Sequence, residues 1–142
     1  MTINLGDDFA DFEANSHKGP IKWHEFIDGC WAILFSHPAD YTPVCTTELG
    51  SLQYMQAEFE KRGVKCAALS CNDTASHVGW VSDILAVNGL SGSDVFFPII
   101  ADPERRLAES LGCVNCSAQV RGRGQHRERQ IDRMARARTR TW

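Results

Sequence analysis

Six cysteines stand in this chain of 142 residues, and one of them, Cys45, sits where a thiol can be made reactive. It lies in the string His37-Pro38-Ala39-Asp40-Tyr41-Thr42-Pro43-Val44-Cys45-Thr46-Thr47-Glu48. An apolar run, Trp31-Ala32-Ile33-Leu34-Phe35, comes just before it, and a helical pattern begins just after. Cys45 therefore falls in the first turn of a helix. Backbone N–H groups there lack intrahelical partners, and the positive end of the helix dipole favours a thiolate. Thr42, three residues earlier, can set a hydroxyl beside the sulfur. Pro38 and Pro43 stiffen the loop and can hold water away from it. A strand-to-helix turn is also where parallel sheets usually carry their sites. A free cysteine is most often a small buried hydrophobe, however, and position alone leaves both readings of Cys45 open.

The elements that must position this turn follow from apolar periodicity. Trp31–Phe35 reads as a strand buried on both faces. Residues Thr46 to Arg62 predict a helix with Leu49, Leu52, Met55 and Phe59 on one face and Gly63 as its stop. Val64 to Leu69 predicts a second strand. Asn72-Asp73-Thr74 supplies a turn and an N-cap, and Val78, Val81, Ile84 and Leu85 mark a second amphipathic helix closed near Asn88-Gly89. Val95 to Ile100 predicts a third strand, with Pro98 as an objection because it cannot donate to a ladder. Asp102-Pro103-Glu104 predicts the start of a helix through Leu107 and Leu111 to Gly112. Residues 1–28 read as a loop or hairpin. Strands alternating with helices imply an α/β fold, a parallel sheet covered by helices.

Charge is split along the chain. Residues 1–116 hold 7 Lys/Arg and 16 Asp/Glu, a balance of −9, whereas residues 117–142 hold 8 Arg and 2 acids, a balance of +6. The expected organisation is one globular domain over 1–116 and an arginine-rich, disordered tail over 117–142. No apolar run approaches the ~20 residues of a membrane span. The first residues show no basic or apolar leader, which favours the cytoplasm, where the thiols are buried, catalytic or metal-bound rather than paired.

Pro38, Thr42 and Cys45 form a Pro-x-x-x-Thr-x-x-Cys pattern that resembles the active-site motif of the peroxiredoxins. With Leu34-Phe35-Ser36-His37-Pro38 before it and Thr46-Thr47-Glu48-Leu49-Gly50 after it, the string is similar to the one-cysteine, peroxiredoxin 6-like branch. The likeness runs from about Leu5 to Gly112 and includes Asp11-Phe12-Glu13-Ala14-Asn15 and Phe97-Pro98-Ile99-Ile100. It implies a thioredoxin-like fold and a thiol-dependent peroxidase with an antioxidant role. Cys45 would attack the O–O bond of hydrogen peroxide or of an organic or lipid hydroperoxide and become a sulfenic acid. Thr42 would orient the peroxide, Pro38 would shield the sulfur, and His37 matches a histidine of this branch at the substrate; a loop histidine that merely packs is the alternative. No resolving cysteine is evident, so an external thiol such as glutathione would reduce the sulfenic acid. The resemblance implies no cofactor. Members of the family often dimerise, which leaves a homodimer open.

No metal is assigned. A zinc site from Cys66, Cys71, Cys113 and Cys116 needs four converging ligands, and Cys66 falls inside a predicted core strand. The Cys113-x-x-Cys116 pair follows the end of a helix, where the dipole does not favour a thiolate.

The chain also departs from the family pattern. Cys30, in Asp28-Gly29-Cys30-Trp31-Ala32, stands where the branch carries the serine of a phospholipase-type activity, so that activity is not carried over. His24 is then read as an interfacial histidine on a strand. The family's arginine beside the sulfur is transferred to neither Arg121 nor Arg123, because no strand is expected after them. Two strands and a helix are missing from the pattern, so the fold is expected to be incomplete at its C-terminus. Trp31–Phe35 would be left as an open edge that an arginine-rich tail does not cover. A truncated product with an out-of-frame tail, a different splice end or a sequencing error would account for this. The competing readings are a weakened or inactive form and a protein whose basic tail binds nucleic acid. Eight arginines supply the charge for the latter, but Trp142 is the tail's single aromatic, so nucleic acid is the less favoured partner.

Overall fold

The computed structural model describes residue 3, residues 6–113 and residues 135–137. A hairpin of β1 (Glu13–Ser16) and β2 (Gly19–Lys22) leads into the short helix α1 (Trp23–Ile27). Then come β3 (Trp31–Ser36), α2 (Pro43–Tyr54), α3 (Gln56–Lys61), β4 (Val64–Ser70) and α4 (Thr74–Val87). β5 (Ile99–Ala101), α5 (Arg106–Ser110) and β6 (Ala135–Ala137) complete the order. The strands form one sheet, β2-β1-β5-β4-β3-β6. β3, β4 and β5 are parallel, with Trp31 opposite Val64 and Ala68 opposite Ile99, and the hairpin joins β5 antiparallel through Ser16 and Ile100. The expected α/β alternation with a parallel centre is what the chain forms.

Side chains alternate across this sheet and build a core on each face. On β4, Cys66 and Ala68 meet Cys45, Leu49 and Leu52 of α2 and Trp80, Val81, Ile84 and Leu85 of α4. Ala67 and Leu69 point the other way, toward Trp23, Ile27 and Leu111. Burial pushes the Cys66 thiol up to about 12, which makes it an inert core residue.

Several elements differ from the sequence reading for physical reasons. The helix expected over 46–62 is two, broken at Met55, which is exposed. Leu49, Leu52 and Met55 are three apart, and at about 100° per residue six residues fall about 120° short of two turns. A straight helix would carry the apolar stripe off the core; the break resets it so that Phe59 packs inward. The strand expected over 95–100 pairs only from Ile99, after Pro98, although Val95 and Phe97 are buried. α5 begins at Arg106, since Arg105 takes a left-handed conformation (φ 60°) and Asp102 accepts instead from the Ala108 N–H at 2.8 Å. His24 lies on α1, exposed, with Nε2 2.9 Å from the Phe9 carbonyl, and is not on a strand.

The edge of β3 is also not left open. β6 pairs with it antiparallel, Ala32 opposite Ala137 and Leu34 opposite Ala135. A ladder is made by backbone groups, so an arginine-rich segment can supply one. The rest of 117–142, where disorder is expected, lies outside the described residues.

α2 and α4 approach closely at Gly50. A Cβ there would overlap the Asn88 amide, whose Nδ2 donates to the Thr46 carbonyl at 3.0 Å and the Ile84 carbonyl at 2.8 Å. Gly50→Ala gains about 1 kcal/mol of helix preference and forfeits bonds whose loss costs roughly 1–3 kcal/mol. A net destabilisation of about 1 kcal/mol is expected in urea unfolding; an unchanged or raised midpoint would mean that Asn88 swings aside freely.

His17 extends the β1–β5 ladder with its side chain. Its N–H donates to the Ile99 carbonyl at 3.1 Å, and Nδ1 accepts from the Ile99 N–H at 3.0 Å. That fixes the tautomer, and Nε2–H donates to Asp94 at 2.9 Å. Burial lowers the His17 pKa, against the pull of Asp94 and aided by the charges of Lys18 and His77. The folded chain thus binds this proton more weakly than the unfolded chain. This contribution is full above about pH 6.5 and is lost as pH falls from there through the lowered value. His17→Asn keeps an acceptor for Ile99 and does not titrate, so it should show a flatter decline in stability below that pH than the parent chain.

Candidate active site

Cys45 is the third residue of α2 and is 9% exposed. Thr42 is the N-cap, in extended conformation, and Pro43 follows at the first helical position. An N-cap threonine usually accepts a bond from the first turn. Here it does not: its Oγ1 donates to the Ala39 carbonyl at 3.1 Å. Pro43 has no N–H, so the N–H groups of Val44 and Cys45 are the first-turn donors left without a partner from helix or cap. Thr46 closes the turn from behind. Its hydroxyl donates to the Thr42 carbonyl at 2.7 Å and accepts from Trp80 Nε1 at 3.0 Å.

The loop before α2 is held by one carboxylate. Asp40, with its side chain fully buried, accepts from His37 Nε2 at 3.0 Å and Ser70 Oγ at 3.1 Å on Oδ1. On Oδ2 it accepts from Ser76 Oγ at 2.7 Å and His77 Nδ1 at 2.6 Å. Burial alone would raise this carboxyl; the bonds from His37, His77 and Ser76 outweigh it and hold Asp40 well below the usual carboxylate range. The other nitrogen of His77 faces the Ile100 carbonyl at 3.2 Å. Both nitrogens of His77 thus face acceptors, the Asp40 carboxylate and the Ile100 carbonyl. His37 spends Nε2 on Asp40, and its buried Nδ1 has no partner. The His37 ring lies 5.0 Å from that of Trp80, which is fully buried. Tyr41, left-handed at φ 61°, donates its hydroxyl to the Ser76 carbonyl at 3.2 Å. Gly79 leaves it room, since a Cβ there would lie 2.5 Å from that hydroxyl.

The sequence-derived candidates are therefore brought together in part. Thr42 adjoins Cys45 on α2, and His37 is linked to the same turn through Trp80 and Thr46. Pro38 is exposed on the loop. Cys30 precedes β3, at the end of that strand away from the site, and His24 is exposed on α1. Among the described residues no cluster of His, Cys, Asp or Glu is arranged to hold a metal ion; Cys116 lies outside them. An open groove of about 410 Å³ lies between the hairpin and the start of α4, lined by His17, Thr74 and Val78 among others, and contains none of the candidates.

Sequence reasoning missed Asp40, His77 and Trp80. A signal existed: residues 77, 80, 81 and 84 share a helical face. Val81, Ile84 and Leu85 of the expected face are buried, whereas Val78 is 59% exposed and His77 and Trp80 face inward.

The model of the AhpC/TSA family matches residues 5–129. The chain belongs to the AhpC/TSA family. The match runs past Gly112, where the sequence reading ended the likeness. Within this family the chain is 45% identical over 113 residues to a 1-Cys peroxiredoxin of Medicago truncatula, covering 80% of the chain and 51% of that protein. It is 48% identical over 112 residues to peroxiredoxin-6 of Gallus gallus, covering 78% and 50%. The chain thus spans about half the length of the curated relatives it matches. Its fold is thioredoxin-like, as in the crystal structure of a mutant peroxiredoxin 6 of Arenicola marina. That likeness has a TM-score of 0.77 at 45% identity and covers 84% of this chain and 54% of that one. A yeast mitochondrial 1-Cys peroxiredoxin matches with a TM-score of 0.76 at 38% identity, covering 80% and 52%.

Asp40→Asn replaces two acceptor sites by an amide donor that faces His or Ser donors. Breaking a buried pair from one side costs about 3–5 kcal/mol, and a loss of that size is expected in chemical denaturation. A loss below about 1 kcal/mol would show that the Asp40–His77 pair behaves as an exposed one.

Proposed function

We propose that the chain is a thiol-dependent peroxidase of the one-cysteine peroxiredoxin type, acting on hydrogen peroxide and organic or lipid hydroperoxides. The observation that carries this is Cys45 in an uncapped first turn of α2. The Cys45 thiolate attacks one oxygen of the O–O bond. That bond breaks, the departing oxygen leaves with a proton as water or alcohol, and the sulfur becomes a sulfenic acid. The N–H groups of Val44 and Cys45 face the charge that moves onto oxygen. The Thr42 hydroxyl, which donates its hydrogen bond to the Ala39 carbonyl, offers its lone pairs to the peroxide O–H and so orients it. His37 Nδ1, the ring's free acceptor, is a second group for that proton, and Pro38 covers the loop from outside.

Reduction of the sulfenic acid by an external thiol such as glutathione completes the cycle. A solved relative in yeast is described as having a thiol resolving mechanism via glutathione/thioredoxin systems, which supports this part of the reading. A homodimer and a cytoplasmic, antioxidant role go with it. No described helix is long and apolar enough to cross a membrane.

Peroxide consumption with a thiol donor should fall to the uncatalysed level in Cys45→Ser, and a sulfenic-acid trap should label Cys45 in the parent chain. Thr42→Val should lower the rate about a hundredfold while leaving the trap able to reach Cys45. A chain that gives no adduct at Cys45, or consumes peroxide equally well without it, sinks the proposal.

A further inference from the structure

Two other thiols lie at neighbouring ends of elements, Cys71 just past β4 and Cys113 just past α5. Leu69 of β4 packs in the core cluster with Trp23, Ile27 and Leu111, whereas the Ser70 hydroxyl reaches Asp40. Cys71 follows directly on Ser70, the last residue of β4. Cys113, just past α5, packs against that same cluster. Three hydrogen bonds tie its backbone to the neighbour of Cys71. Cys113 N–H donates to the Ala108 carbonyl at 2.8 Å, Ala108 N–H to the Asp102 carboxylate at 2.8 Å, and Asp102 N–H to the Ser70 carbonyl at 3.0 Å. Both thiols are free and partly exposed.

The geometry points to Cys71 and Cys113 as a dithiol that closes to a disulfide under hydroperoxide, locking α5 to the end of β4. The balance is simple. One sulfur attacks the hydroperoxide O–O bond and becomes S–OH, releasing alcohol or water. The second sulfur attacks the first and displaces the hydroxyl, and the two thiol protons leave with the departing oxygens. Two thiols and one hydroperoxide thus give one disulfide, one alcohol and one water. This does not rest on Cys45 being active, because the hydroperoxide itself is the oxidant.

Electrostatics set the pH dependence. Burial raises the Cys71 pKa, and the negative charge of Asp102 and the nearby Cys113 thiol raise it further against the pull of Arg105. Cys71 is therefore kept as a thiol at neutral pH, and the closure quickens as pH rises.

The full chain, and its Cys45→Ser variant, would be treated with hydrogen peroxide while folded, alkylated, digested and mapped by mass spectrometry. The expected product is a peptide pair joined through Cys71 and Cys113, lighter than its reduced parts by two hydrogen atoms, in both chains. It should be absent in Cys71→Ser and reversible by a dithiol reductant. Alkylation of both cysteines, a link from Cys113 to Cys116, or a link from Cys71 to Cys45 overturns the assignment. So does an equal yield of the Cys71–Cys113 link in the urea-unfolded chain, since proximity in the fold would then play no part.

Discussion

A carboxylate taken out of water has to be given back its hydrogen bonds, and Asp40 is given four. Each of its oxygens has two acceptor sites, and His37, Ser70, Ser76 and His77 fill them. The donors come from the loop after β3, the end of β4 and the first turn of α4, and His77 reaches on to Ile100 in β5. One side chain therefore gathers the carboxyl ends of three parallel strands around the entry to α2. Those four hydrogen bonds make the burial of its charge tolerable.

The rotation of α4 follows from this. His77 has to face inward, and that choice turns Trp80 into the core and Val78 out to solvent. Trp80 then meets two parts of the site at once, the His37 ring by a tilted ring contact and the Thr46 hydroxyl by hydrogen bonding. The first turn of α2 is thus oriented by a helix that contributes no candidate reactive atom. Tyr41 reinforces the arrangement from the surface by bridging to Ser76 over Gly79.

Much of this was legible in the residues themselves. The alternation of β3, α2, β4 and α4 follows from periodicity, and Cys45 in a first helical turn follows from Pro43 and the stripe that starts after it. Where the reading failed, local pattern lost to tertiary contact. Leu49, Leu52 and Met55 look like one face until the angular drift of a three-residue spacing is counted. Val95 to Phe97 are buried without being a strand, because Pro98 cannot donate and the ladder starts beyond it. α5 starts late because Asp102 caps it across a left-handed Arg105. The pairing of β6 on β3 depends on backbone groups alone, and side-chain type carries little information about that. Asp40 and His77 were hidden for a different reason: buried polar residues look like surface residues until their partners are known.

The cap of α2 shows what the site gives up. A threonine that bonded its own first turn would add about 1 kcal/mol to the helix, and Thr42 is the right residue in the right place to do so. Its hydroxyl is turned back to Ala39 instead. Local folding preference favours a closed cap, and here that preference is left unsatisfied. Selection for thermal robustness alone would close this turn and, in doing so, occupy the donors beside the sulfur.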